Sequence, residues 1–157
     1  MMTYVTIAIG LLVFGLLIII VRDLRKLRSD FNKFSRKIRN EKSRLAFLID
    51  QDMVVKDTNY YALKKEMKDD QPSILGNVLH CKVGCDSGLC GTGLSCQTCP
   101  VRYVIKNAFQ LKRDFNDVKA NMQLYDENHE VTELEVTVDG ELVYVNSEPY
   151  MLVKVTT

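Results

Sequence analysis

The chain has 157 residues and a net charge of +1, with 46% hydrophobic and 26% charged residues. This composition is ordinary for a globular protein and argues against a disordered chain or a polytopic membrane protein. Basic residues are concentrated between Arg22 and Arg44, where ten Lys or Arg stand against three Asp or Glu, leaving the rest of the chain acidic. Because the body is acidic, no nucleic-acid partner is expected.

Residues 1–21 are predicted to form a transmembrane anchor. Residues 4–21 are almost entirely apolar and would form a helix of about 27 Å, close to the hydrocarbon thickness of roughly 30 Å. A cleaved signal peptide would need basic residues before this run, whereas the basic residues here follow it. The positive-inside rule then predicts a single-pass protein in the lipid bilayer with a cytoplasmic C-terminal domain.

Residues 22–43 are predicted to form a basic, amphipathic juxtamembrane helix. Its apolar residues recur at alternating spacings of three and four: Leu24, Leu27, Phe31, Phe34 and Ile38. This is the stripe of a short coiled coil, and tethering in a membrane favours a homodimer through this helix. A solvated helix without a dimer partner is the alternative interpretation.

Residues 44–157 are predicted to form one soluble domain. Apolar runs, turn residues and helical spacing predict strands at 45–49 and 53–56, a helix at 59–68, a cysteine-rich loop at 81–99, a helix from Pro100, and strands at 118–124, 131–138, 142–145 and 150–155. This order predicts an α+β fold in which an antiparallel sheet carries helices on one face.

The five cysteines of the chain all lie in the loop at 81–99: Cys81, Cys85, Cys90, Cys96 and Cys99. In a reducing cytosol, clustered thiols are metal ligands or redox-active groups more often than structural disulfides. Thiolates suit Zn²⁺ and iron–sulfur clusters. The spacing matches neither the usual ferredoxin pattern nor a zinc ribbon, so the sequence leaves the identity of the metal open.

The order of elements and several motifs resemble a PAS domain, a sensory fold of bacterial signalling proteins. Residues 47–55 leading to Asn59 resemble the opening hairpin of that family. Cys81, Cys90-Gly91-Thr92 and Cys96-Gln97-Thr98-Cys99 resemble a cysteine-bearing subgroup found before sensor kinases. Cys85 has no counterpart in that pattern, and His80 stands where a glycine usually precedes the first cysteine.

Together with the predicted anchor, this resemblance implies a membrane-anchored sensory module in the bacterial inner (cytoplasmic) membrane, with a PAS-like domain at 44–157. The predicted metal ligands are Cys81, Cys90, Cys96 and Cys99, with Cys85 as a spare or alternative ligand for an iron–sulfur cluster or Zn²⁺. No output domain is recognised, so a signalling partner in trans is expected. The protein is not expected to be an enzyme.

Two other functions remain open from the sequence. Cys96 and Cys99 form a Cys-x-x-Cys pair, which would suit a membrane-tethered thiol–disulfide oxidoreductase. Alternatively, Zn²⁺ would only stabilise the domain, and the protein would be a structural adaptor for another membrane protein.

Overall fold

The computed structural model describes residues 2–41, 44–60, 73–126 and 128–157, with side chains from residue 10 onward except that of residue 27. Residues 61–68 of the helix predicted at 59–68 lie outside the described residues. The described elements are α1 (Met2–Asn40), β1 (Leu45–Ile49), β2 (Val55–Thr58), α2 (Leu75–Val78), α3 (Lys82–Asp86), a 3₁₀ turn (Leu94–Gln97), α4 (Pro100–Leu111), β3 (Phe115–Tyr125), β4 (Val131–Val145) and β5 (Glu148–Thr156).

In the described part of the chain, five strands form one antiparallel sheet with the order β2-β1-β5-β4-β3. The α+β class is therefore confirmed. Strand β1 and the start of α4 at Pro100 agree with the prediction. The two strands predicted at 131–138 and 142–145 are instead one strand, β4, which pairs with β3 and β5 along its length.

Strand β2 begins two residues later than predicted, because the turn after β1 extends to Val54. The Asp50 carboxylate accepts hydrogen bonds from the backbone N–H groups of Asp52 at 3.0 Å and Val54 at 2.9 Å. Met53 has a φ of +62°, which is a turn conformation rather than an extended one. The regular strand therefore begins only at Val55.

The main core lies between one face of the sheet and the helices of the domain. Phe47 and Ile49 of β1, with Val153 of β5, pack there against Val101 and Ile105 of α4. All five side chains are buried, and Phe47, Ile49, Val153 and Ile105 are fully enclosed. Burying each of these large apolar groups stabilises the fold by about 1.5–3 kcal/mol. This core holds the start of α4, and with it Cys99, at a fixed place.

The opposite face of the sheet is covered by the C-terminal end of α1. Ile38 packs there with Ala46 and Leu48 of β1, and Phe31 and Phe34 join the same cluster. The prediction of helices on one face is thus incomplete, because alternate side chains of β1 are apolar on both faces. The predicted juxtamembrane stripe is used in part for packing on the chain's own sheet.

A single helix, α1, runs through both segments that were predicted as a membrane anchor and a juxtamembrane helix. Among the described residues, no helix has an apolar stretch of the length and freedom from charge that a membrane span needs. The predicted run at 4–21 begins in the part of α1 whose side chains lie outside the description.

We expect Ile38→Ala to lower the free energy of unfolding by about 2–5 kcal/mol, since it leaves a cavity at a fully buried position. Leu24→Ala is the matched control, because Leu24 lies on the same stripe but is 59% exposed. The measurement is urea unfolding of the full chain in neutral detergent, followed by circular dichroism. Equal losses for the two variants, growing on dilution of the protein, would instead assign the stripe to a dimer seam.

Candidate functional site

The cysteine segment, residues 81–99, connects the short helix α2 to α4. Cys81 precedes α3, Cys85 lies within it, and Cys90 lies in the following loop. Cys96 belongs to the 3₁₀ turn, and Cys99 is the N-cap residue of α4. All five thiols are free, and each is at least partly buried.

The first end of this segment is attached to the edge strand β3. The backbone N–H of Tyr125 donates to the carbonyl of His80 at 2.9 Å, and Cys81 forms an antiparallel bridge with Leu124. The Tyr125 hydroxyl donates to the Asp86 carboxylate at 2.8 Å. These contacts hold Cys81 and Cys85 against the end of the sheet.

Lys82 and Asp86 strengthen this attachment on the surface of α3. Their side chains form an ion pair one helical turn apart, and the Lys82 ammonium lies 5.6 Å from the centre of the Tyr125 ring. The hydrogen bond from Lys82, followed by that from Tyr125, lowers the pKa of Asp86, and the hydrogen bond to Asp86 raises the pKa of Lys82. Both groups are therefore charged at neutral pH.

Asn77 of α2 holds the loop that carries Cys90. Its Oδ1 accepts the backbone N–H of Cys90 at 2.6 Å, and its Nδ2 donates to the carbonyl of Gly88 at 3.2 Å. One side chain thus satisfies two backbone groups that have no strand or helix partner. The position of the Cys90 thiol depends on this amide.

Cys90 occupies a place where two neighbouring residues have no Cβ. A Cβ at Gly76 would overlap the Cys90 Sγ, and one at Gly84 would lie 3.2 Å from the Cys90 Cβ. The pKa of the Cys90 thiol is raised by burial and then by the neighbouring Cys96 and Cys81, whereas Arg102 acts in the opposite direction. Two of the other predicted ligands, Cys81 and Cys96, are therefore within electrostatic reach of Cys90.

Cys85 lies close to the same group. Its pKa is raised by burial first, and then by the proximity of Cys81 and Asp86. This position next to Cys81 is compatible with the predicted role of a spare or alternative ligand.

The thiols do not converge into a metal site in the described conformation. Among the described residues, no group of three or more His, Cys, Asp or Glu side chains is arranged to hold a metal ion. The donor type fits a thiolate-preferring centre, and Cys81, Cys90 and Cys96 are neighbours, but binding would require the thiols to approach one another. The ligand set Cys81, Cys90, Cys96 and Cys99 stays a prediction.

Both histidines of the chain occupy positions with a positive φ. His80 has a φ of +54°, a backbone conformation that favours glycine. His129 has a φ of +61° in the turn after β3, and its ring lies 6.1 Å from that of Tyr125.

Arg102 was not singled out from the sequence, although it lies three residues after Cys99 in the first turn of α4. Gly91 has a φ of +104°, and a Cβ there would lie 2.5–2.6 Å from three atoms of the Arg102 guanidinium. The guanidinium therefore lies directly against the backbone of the cysteine segment. Its Nη1 atom is buried and has no hydrogen-bond partner in the described part of the chain.

No family model and no curated protein matches this chain. Among solved structures, it is similar to a PAS domain from Desulfitobacterium hafniense, with 11% identity over 74% of this chain and 93% of that chain and a TM-score of 0.41. It is also similar to the PAS domain of nitrogen regulation protein NR(II) from Vibrio parahaemolyticus, with 12% identity over 78% of this chain and 95% of that chain and a TM-score of 0.41. For the PAS domain of an HTR-like protein from Haloarcula marismortui, the identity is 12% over 85% of this chain and 96% of that chain, with a TM-score of 0.34.

In the metal-free protein, we expect Cys85 and Cys90 to react with iodoacetamide at pH 7 more slowly than free cysteine. Their raised pKa values lower the thiolate fraction, so the rates should rise as the pH is increased past 9. Asn77→Ala should accelerate labelling of Cys90, because it releases the loop, whereas Asn121→Ala, at an exposed position in β3, should not. Peptide mapping by mass spectrometry gives the rate at each thiol, and fast labelling of Cys90 in the unaltered chain would contradict this.

Proposed function

We propose that the chain is a membrane-anchored sensory and signalling module of the PAS type. Its cysteine segment would bind an iron–sulfur cluster or Zn²⁺, or change redox state. The observation that supports this best is the packing of Cys90 against Gly76 and Gly84, next to Cys81 and Cys96. The two glycines leave room for the Cys90 side chain, and the Cys81 and Cys96 thiols lie near it.

The way in which the segment is attached suits a sensor. One end is bound to β3 through Tyr125, and the other end continues into α4, which packs in the main core. Binding or loss of a centre would change the order of the segment between these two attachments. The proposed role is signalling rather than catalysis, with the output in a partner protein in trans.

The proposed ligands are Cys81, Cys90, Cys96 and Cys99. A centre bound by them would add thiolate–metal bonds to the contacts that hold the segment. The alternative function as a thiol–disulfide oxidoreductase is disfavoured by Cys96, which is only 5% exposed, because the attacking thiol of such a pair needs access to its substrate.

Anaerobic purification of the full chain, followed by metal analysis and absorption spectroscopy, tests the centre. We expect Ser substitution at each of the four proposed ligands to lower the metal content strongly, whereas Cys85→Ser should retain it. A folded, colourless and metal-free protein would contradict the metal centre. Zinc that is redox-inert and needed only for folding would favour the structural adaptor.

The proposed anchor is the N-terminal part of α1, in the bacterial inner membrane with the domain in the cytoplasm. Its described surface exposes a run of large apolar side chains: Leu11, Leu12, Val13, Phe14, Leu16, Leu17, Ile18, Ile19, Ile20 and Val21. Such a surface is unfavourable in water and suits contact with lipid or another apolar helix. A homodimer through this part of α1 is proposed with it, since Phe31, Phe34 and Ile38 already pack on the sheet.

The double substitution Val13→Arg and Leu17→Arg should release the chain from bacterial membranes, because each arginine costs about 2.5–3.5 kcal/mol at the centre of a membrane helix. Leu24→Arg, beyond the apolar run, is the control and should leave the chain in the membrane. The measurement is extraction with alkaline carbonate followed by sedimentation. Release of the unaltered chain by carbonate would rule out the anchor.

A further inference from the structure

A cavity of about 280 Å³ lies between the second half of the cysteine segment and the outer side of α4. The described residues that line it belong to these two stretches: Gly91, Cys96, Gln97, Arg102, Tyr103, Lys106, Asn107 and Gln110. It lies away from the main core, because Tyr103, Lys106 and Gln110 are exposed residues of the helix. Of the proposed metal ligands, Cys96 is the one in its wall.

The charge around this cavity is positive and is not compensated. Arg102 and Lys106 lie one helical turn apart, and among the described residues no acidic side chain lines the cavity. Some basic side chains elsewhere have acidic partners, as in the pairs Lys37–Glu141 at 2.5 Å and Arg44–Asp139 at 2.6 Å. Within the described residues, neither Arg102 nor Lys106 forms such a pair.

Arg102 is also incompletely hydrogen-bonded. Its Nη1 is buried without an acceptor, although a charged donor removed from water is costly unless it is paired. Gly91 lets the backbone of the cysteine segment pack directly on this guanidinium, because a side chain there would overlap it. A backbone that accommodates an unpaired cation beside a cavity indicates a site for an anion.

The neutral residues of the wall are suited to the same ligand. Gln97, Asn107 and Gln110 carry amide N–H donors, and Tyr103 carries a hydroxyl. Guanidinium groups bind planar or tetrahedral oxyanions through two parallel hydrogen bonds. A volume near 280 Å³ accommodates a phosphate or a short carboxylate.

We infer that this cavity is a binding site for a small free oxyanion, either phosphate or a short dicarboxylate, with Arg102 as its main charged contact and Lys106 as a second. Arg102 and Lys106 are not among the proposed metal ligands, although Cys96, which is one of them, forms part of the wall. Because Gly91 and Cys96 belong to the cysteine segment, an anion bound here would stabilise that segment against α4.

Isothermal titration of the full chain in neutral detergent at low ionic strength tests this, with inorganic phosphate and succinate as separate probes. At least one probe should bind the unaltered chain. Arg102→Gln should weaken that binding by about tenfold to a hundredfold, the usual effect of losing a charged hydrogen-bond donor. Lys106→Gln should have a smaller effect, and Arg102→Lys should retain part of the affinity.

Arg113→Gln is the matched control, because Arg113 is an exposed residue just after α4 and outside the cavity. Thermal unfolding of each variant shows whether it is folded, and Arg102→Lys keeps the test valid if Arg102→Gln is not. Binding of neither probe, or equal losses for Arg102→Gln and Arg113→Gln, would overturn the inference. So would a result in which Arg102→Gln lowers only metal loading, since Arg102 would then serve the thiolates.

Discussion

The pairing of β1 with β5 is the constraint on which both faces of the sheet depend. Phe47 lies opposite Val153 on the face of the main core, and Leu48 lies opposite Leu152 on the face covered by α1. All four side chains are almost fully enclosed. Since neighbouring side chains of a strand point to opposite faces, a shift of the pairing by one residue would exchange the two cores. The positions of α1 and α4 therefore both follow from one register.

This arrangement separates the cysteine segment from α1 by the thickness of the sheet. The segment contacts β3 through Tyr125, and β3 pairs with β4 along its length. From β4, the Glu141 carboxylate reaches the Lys37 ammonium of α1. A second contact lies between the end of β2 and the residues that follow α1. There the Asn59 amide donates to the carbonyls of Glu41 and Arg44 at 2.8 Å each. Strands β3 and β4 thus connect the cysteine segment to α1 by a continuous series of contacts.

The local patterns of the sequence predicted the elements whose boundaries have a local cause. Strand β1 ends at the turn-forming Asp50, and α4 begins at Pro100, where proline is favoured. Strand β4 was predicted as two strands, with Asp139 and Gly140 in the gap between them. In the fold, Asp139 instead accepts the N–H of Asp117 at 2.9 Å and pairs with Arg44, which are distant partners that no local pattern contains.

The candidate site was predictable to a different degree. Cysteine density alone located the segment, but the amide of Asn77 and the guanidinium of Arg102 could not be assigned from it. The Asn77 amide accepts a hydrogen bond from a backbone N–H thirteen residues away, and the position of Arg102 is defined by its contact with Gly91. Such contacts depend on how loops return to a helix, which hydrophobic periodicity does not describe.

The length of α1 gives the packing of Ile38 a mechanical consequence. The helix is held on the sheet from Phe31 onward, and the part from Phe31 back to Met2 extends for about 44 Å at 1.5 Å per residue. A tilt of about 5° at the sheet would therefore displace the far end by about 4 Å, if the helix stays straight. A small tilt at the sheet, without any change in the core, would thus move the N-terminal end of α1 by a distance comparable to the length of a side chain.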